Sequence, residues 1–163
     1  MKAAVGIDIG GVIIESHERR EDTTFCEDNF LNTPAVFGAI EAIRHVVEQR
    51  FGTCVYLISK CGPKVQHLTL QWLEARDFFS KAAVAPGNVR FCRERRQKAA
   101  ICEQLGITHF VDDRLEVLSY LSTVEHLYLF QPRLAEVQEF AEFRNRVREV
   151  GAWDQLRHLL IAE

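Results

Sequence analysis

The sequence predicts an α/β fold: one domain with a central parallel sheet of about five strands and helices on both faces. Three observations carry this. Short apolar runs of strand length alternate with longer stretches of helical period, the pattern of parallel strands joined by helical crossovers. The runs are apolar at consecutive positions, as strands buried on both faces require. Finally, the chain has 163 residues, of which 47% are hydrophobic. A chain of this size buries about 70% of its unfolded surface and needs no staple.

The strand candidates are residues 3–8 (AAVGID), 53–58 (TCVYLI), 108–111 (THFV) and 125–130 (EHLYLF). Residues 89–92 (VRFC) are a weaker fifth. Between them lie helical patterns. In 34–51, Val36, Phe37, Ile40, Ile43, Val46 and Val47 share a face, with Thr33 placed to cap and Pro34 at the first turn. Pro63 opens a second pattern over 63–77, whose buried face is Val65, Leu68, Trp72 and Leu73. A third, 94–105, stops at Gly106, a residue suited to a left-handed helix end. A short helix is expected at 114–121, and residues 131–163 read as a helical extension, 134–150 and 153–161, broken near Gly151. Trp72 and Trp153 are expected as packing anchors, and Phe78–Phe79 as a closure of the core under helix 63–77. Residues 15–33 hold six acids and two arginines without a period. A stretch of this length is expected as a flap or small lid.

Composition removes several function classes. The formal charge of -3 argues against a generally cationic nucleic-acid or membrane binder. No apolar run approaches the roughly 20 residues of a membrane span. The opening MKAAVGID turns charged too early for a signal peptide. Five cysteines, Cys26, Cys54, Cys61, Cys92 and Cys102, show no CxxC spacing. They read as free thiols in a reducing compartment, so a cytoplasmic protein is expected.

In a parallel sheet, ligands bind at the carboxyl ends of the strands. Asp8 ends the first strand. Ser59 and Lys60 follow the second, and Asp112 and Asp113 follow the run 108–111. A helix that follows a strand starts at the same edge, which brings Lys98 there too. Each residue alone suits a cap or a turn. Together they suit one chemistry. Clustered carboxylates repel and persist most easily around a hard cation such as magnesium, which takes one or two carboxylates and keeps several waters. A carboxylate can then attack phosphorus, with Ser59 donating to a phosphoryl oxygen and Lys98 offsetting charge.

These residues resemble the motifs of the haloacid dehalogenase superfamily, a group dominated by magnesium-dependent phosphatases. The resemblance runs over residues 3–130. GIDIGGVI is similar to the first motif, with Asp8 as nucleophile; LISK to the second, with Ser59; Lys98 suits the third; FVDD resembles the fourth, with Asp112 and Asp113. The resemblance implies a Rossmann-like sheet and an early helical-turn-and-hairpin insert near residues 9–20. It implies Mg2+ held by Asp8, the Gly10 carbonyl, Asp112 and Asp113. Ser59, Lys60, Gly10 and Gly11 would meet a phosphorylated substrate. No segment is long enough for a large cap. Capless members often act on large substrates or complete the site by oligomerising, so a homo-oligomer is a further expectation.

One position departs from the family. Its phosphatases carry a second Asp, a general acid and base, two residues after the nucleophile; this chain has Gly10. A backbone carbonyl survives that change, but the proton donor does not. Glu15 and His17 are the nearby candidates to replace it. The basic group Arg90, Arg93, Arg95, Arg96 and Lys98 reads either as an anion-binding patch or as a solvated face. Three other functions stay open. GIDIGG is similar to the first phosphate loop of sugar kinases with the actin-like fold, although the chain is short for two lobes. A metal-free dehalogenase would leave Asp112 and Asp113 without a use. A metal- or phosphate-binding regulatory module without turnover would accept Gly10 as it stands.

Overall fold

The computed structural model describes residues 2–16 and 27–163. Six strands form one sheet: β1 (Val5–Ile7), β2 (Val55–Lys60), β3 (Val89–Cys92), β4 (His109–Asp112), β5 (His126–Phe130) and β6 (Val147–Val150). Their order is β3-β2-β1-β4-β5-β6, and every neighbouring pair is parallel. The fold is Rossmann-like α/β, as the alternation of runs and periods predicts. The weak candidate at 89–92 is a full member of the sheet.

Among the described residues, eight α-helices fill two layers: α1 (Glu27–Leu31), α2 (Ala39–Val46), α3 (Pro63–Ala75), α4 (Phe78–Ala82), α5 (Gln97–Leu105), α6 (Leu115–Tyr120), α7 (Leu134–Glu139) and α8 (Trp153–Ala162). Strand side chains alternate between two cores. On one face Val5, Ile7, Val55, Leu57, Tyr128 and Phe130 pack with residues of α2, α3, α4 and α8. On the other, Ile58, Phe110, Leu127 and Leu129 pack with α5, α6 and α7. Gly6 faces this second core, and any side chain there would drive a Cβ to 2.6 Å from the Phe110 ring. The ring of β4 therefore lies directly against the backbone of β1.

Trp72 and Trp153 are packing anchors, 0% and 1% exposed. Their indole N–H groups donate to the Thr33 and Val12 carbonyls, each at 2.7 Å. Phe78 is fully buried beneath α3, with Phe79 packed edge-on against it.

Two expected helices are corrected. The first begins at Ala39, not at Pro34, behind Gly38 in the left-handed conformation. Residues 34–36 instead bond to the loop after β1: Glu15 N–H donates to the Pro34 carbonyl and Val36 N–H to that of Ile13. Thr33 does not cap α2; its hydroxyl donates to the Asn29 carbonyl. The second correction concerns 134–150. This stretch is α7, a 3-10 turn (Ala141–Arg146) and the sixth strand. Val147 and Val150 are three apart, which mimics a helical face, yet they serve a strand that, among the described residues, is paired on one side only. Most of the flap expected over 15–33 lies outside the described residues, as do His17 and Cys26. The part that is described ends in α1. Among the described residues no helix is long and apolar enough to cross a membrane.

Candidate active site

The order of strands reverses between β1 and β4, the two central neighbours. A crevice outside the carboxyl ends of such strands is where doubly wound sheets bind ligands. The register puts the chemistry there. Ile7 pairs with Val111, and the Asp8 N–H donates to the Val111 carbonyl at 2.9 Å. Asp8 and Asp112 are thereby level at the edge, with Asp113 one residue beyond. Carboxylate oxygens of Asp8, Asp112 and Asp113 lie within 4.8 Å of one another, and all three residues are buried.

Lys98 reaches this cluster from the start of α5. Its ammonium donates to Asp8 Oδ1 and Asp112 Oδ2, both at 2.8 Å. The lysine is 2% exposed. Burial alone would lower its pKa, but the Asp112 and Asp8 charges outweigh that and hold it above the usual lysine range. Asp113 accepts from Arg133 Nη2 at 2.9 Å. The Arg114 N–H donates to Asp112 Oδ1 at 3.0 Å and fixes its rotamer.

The cluster stays short of positive charge. Burial, with Asp112 next, raises Asp8 from 3.8 to about 7 against the pull of Lys98. Burial and Asp112 likewise raise Asp113 to about 6, against Arg133 and Arg114. Carboxyls that hold protons near neutrality beside two cations are short of a further one. Three convergent oxygen donors match a hard divalent ion, so the residues present fit magnesium.

Ser59 is buried near the end of β2, one residue past the level of Asp8, and Lys60 is exposed beside it. Gly10 is exposed, and a Cβ built on it meets nothing within 4 Å. Gly11 is different. Its φ is +79°, and a Cβ there would overlap Asp113 Oδ2. Its N–H donates to the Ile14 carbonyl at 2.7 Å, so this glycine contributes clearance rather than a donor to the site.

Sequence reasoning missed Arg133. The signal was available: Arg133 comes three residues after the end of β5, at the same carboxyl edge as the other site residues. The basic group, by contrast, is largely engaged. Arg93 donates to the Cys61 carbonyl, Arg95 pairs with Glu116, Arg96 with Glu94, and Arg90 bonds to backbone carbonyls. Among the described residues Cys54, Cys61, Cys92 and Cys102 are free thiols, and burial pushes Cys102 up to about 12. Burial raises Cys61 and Cys92 as well, so these three buried thiols are not poised as nucleophiles. No protein-family model matches the chain, and no curated protein does either.

Proposed function

We propose that the protein is a magnesium-dependent phosphoester hydrolase that works through an aspartyl-phosphate on Asp8. The observation that carries this reading is the convergence of Asp8, Asp112 and Asp113 on one point at the switch between β1 and β4, with buried Lys98 bridging two of them. The resemblance to the haloacid dehalogenase superfamily points the same way. Magnesium, held by Asp8, the Gly10 carbonyl, Asp112 and Asp113, would supply charge neutralisation and orientation of the phosphate.

The chain's own residues do the rest. Lys98 ties Asp8 Oδ1, so in this reading the attack falls to Oδ2. A bond forms between that oxygen and phosphorus, and the bond to the leaving oxygen breaks, its electron pair departing with the leaving group. Ser59 donates a hydrogen bond to a phosphoryl oxygen, and Lys60 stands at the rim to attract the anion. Water then attacks phosphorus, the P–O bond to Asp8 breaks with its electron pair returning to the carboxylate, and inorganic phosphate leaves while the water's surplus proton passes to solvent. No carboxylate at position 10 protonates the leaving group, so esters of stable anions are the favoured substrates. The substrate is a phosphorylated molecule, and a cytoplasmic location is part of this reading.

Gly10 also favours a second reading, a metal- or phosphate-binding module of the same fold without turnover. One experiment separates the two. Magnesium-dependent hydrolysis of para-nitrophenyl phosphate, lost in Asp8→Asn, is the expected result. A wild type no faster than the folded Asp8→Asn variant would leave the binding reading.

A further inference from the structure

Beside the carboxylate cluster lies a cavity of about 360 Å³. Gly11 belongs to both: a Cβ there would touch Asp113, and its backbone forms part of the cavity wall. The cavity's far walls are Val36, Phe37, Phe130 and Trp153, contributed by the segment before α2, by β5 and by α8.

The character of these walls is unequal. Phe130 and Trp153 are buried, pack against each other with centroids 5.8 Å apart, and are held by the indole bond to Val12. They form a rigid back. Phe37 is 95% exposed, on a protein whose other aromatic rings are mostly packed. Gly38, in the left-handed conformation, turns the chain immediately after it. An aromatic ring that contributes nothing to the core but lines a cavity is placed to contact something that enters. Gln131 supplies a polar edge from a strained position, φ +45°, with its amide donating to the Gly151 carbonyl. Among the described lining residues there is no Lys, Arg or His, and the charged one is Glu15.

The geometry points to this cavity as the subsite for the organic part of the phosphoester, a flat, apolar one- or two-ring group that packs against Phe37. The inference rests on the phosphatase reading above and deepens it. Small-molecule sites span about 300–1,000 Å³, and this cavity is at the lower end. It thereby assigns specificity in part to the walls of the core domain.

The test compares two substrates whose leaving groups depart readily without an acid, para-nitrophenyl phosphate and acetyl phosphate, in wild type, Phe37→Ala and Phe37→Trp. Phe37 is exposed, so its truncation leaves folding intact, which thermal unfolding checks. In Phe37→Ala the KM for the aryl ester is expected to rise at least about fivefold at near-constant kcat. The KM for acetyl phosphate should stay within about twofold, and Phe37→Trp should restore the aryl KM. Equal changes for both substrates, or no change for either, would overturn the subsite. If wild type turns over neither substrate, the phosphatase reading fails separately. Calorimetric titration with phenyl phosphate and inorganic phosphate then judges the cavity. Tighter binding of the aryl compound, lost in Phe37→Ala, supports it; equal binding of the two overturns it.

Discussion

Two adjacent glycines sit in the loop after Asp8, and only one is replaceable. At Gly10 the backbone is outside the left-handed region and the space beyond is open. Gly10→Asp should fold normally and, on the proposed mechanism, would restore a carboxylate able to protonate the leaving group. Hydrolysis of alkyl phosphates, which need a proton, is expected to rise by about 10²–10⁴, the usual worth of general acid–base assistance. Hydrolysis of para-nitrophenyl phosphate should change much less, and steady-state rates on the two ester classes measure the contrast. Gly11→Ala should do the opposite. The left-handed φ alone costs about 1–2 kcal/mol for a residue with a Cβ, and the added methyl displaces the Asp113 carboxylate. Loss of magnesium-dependent activity with a lowered unfolding midpoint is the expected outcome. Gly10→Ala, assayed alongside, should keep both.

At the scale of elements, helices are anchored to loops through single buried bonds, and the two tryptophans show how differently. On α3, Trp72 shares the Thr33 carbonyl with Arg76, whose guanidinium lies 2.6 Å from that oxygen and stacks over the indole. Trp72→Phe leaves the carbonyl partnered. On α8, Trp153 is the partner of Val12, in the turn that follows Asp8. Trp153→Phe strands that buried oxygen, at about 1–3 kcal/mol. Urea denaturation should therefore show the larger loss for Trp153→Phe. The same elements show what a linear reading can see. Asp8, Ser59, Lys98, Asp112 and Asp113 were legible because each sits at a strand's carboxyl end or in the helix start behind it, and strand ends are visible as the close of an apolar run. The sixth strand was not legible. Arg148 points to solvent, the two valines repeat at a helical interval, and the strand is defined by its register with β5, a non-local fact. The first turn of the expected 34–51 helix failed for a related reason. The backbone of 34–36 is claimed by hydrogen bonds from a loop twenty residues earlier, which outweigh a good capping sequence.

At the scale of the whole molecule, buried ionisable groups at opposite ends of the sheet set opposing pH dependences. Asp8 and Asp113, raised to about 7 and about 6, keep protons in the folded state that the unfolded chain releases above about pH 4. Their contribution to stability is full below that pH and is lost as pH rises through about 7. His109, at the amino end of β4, is stacked on His126 and edge-on to Phe51. Burial, then His126, lowers it from 6.5 to about 4. Its contribution is full above 6.5 and is lost as pH falls toward about 4. The two slopes oppose each other across the same window. Magnesium acts on the carboxylates alone, so the difference it makes isolates them. Its gain in melting temperature should be larger at about pH 8, where the cluster is ionised, than at about pH 5. A gain independent of pH would count against a cation among these three aspartates.

The central position of β1 has a further consequence, in the order of events during folding. Its neighbour β4 is 104 residues later in the chain, Val5 lying against His109. Closing so long a loop between parallel strands is slow and late. The two halves of the carboxylate cluster are thus brought together by the least local pairing at the heart of the sheet. Binding of a cation there would follow the rate-limiting step rather than assist it, and magnesium should slow unfolding while leaving the refolding rate nearly unchanged. Stopped-flow chevrons with and without the ion read that directly: the unfolding limb shifts and the folding limb stays in place.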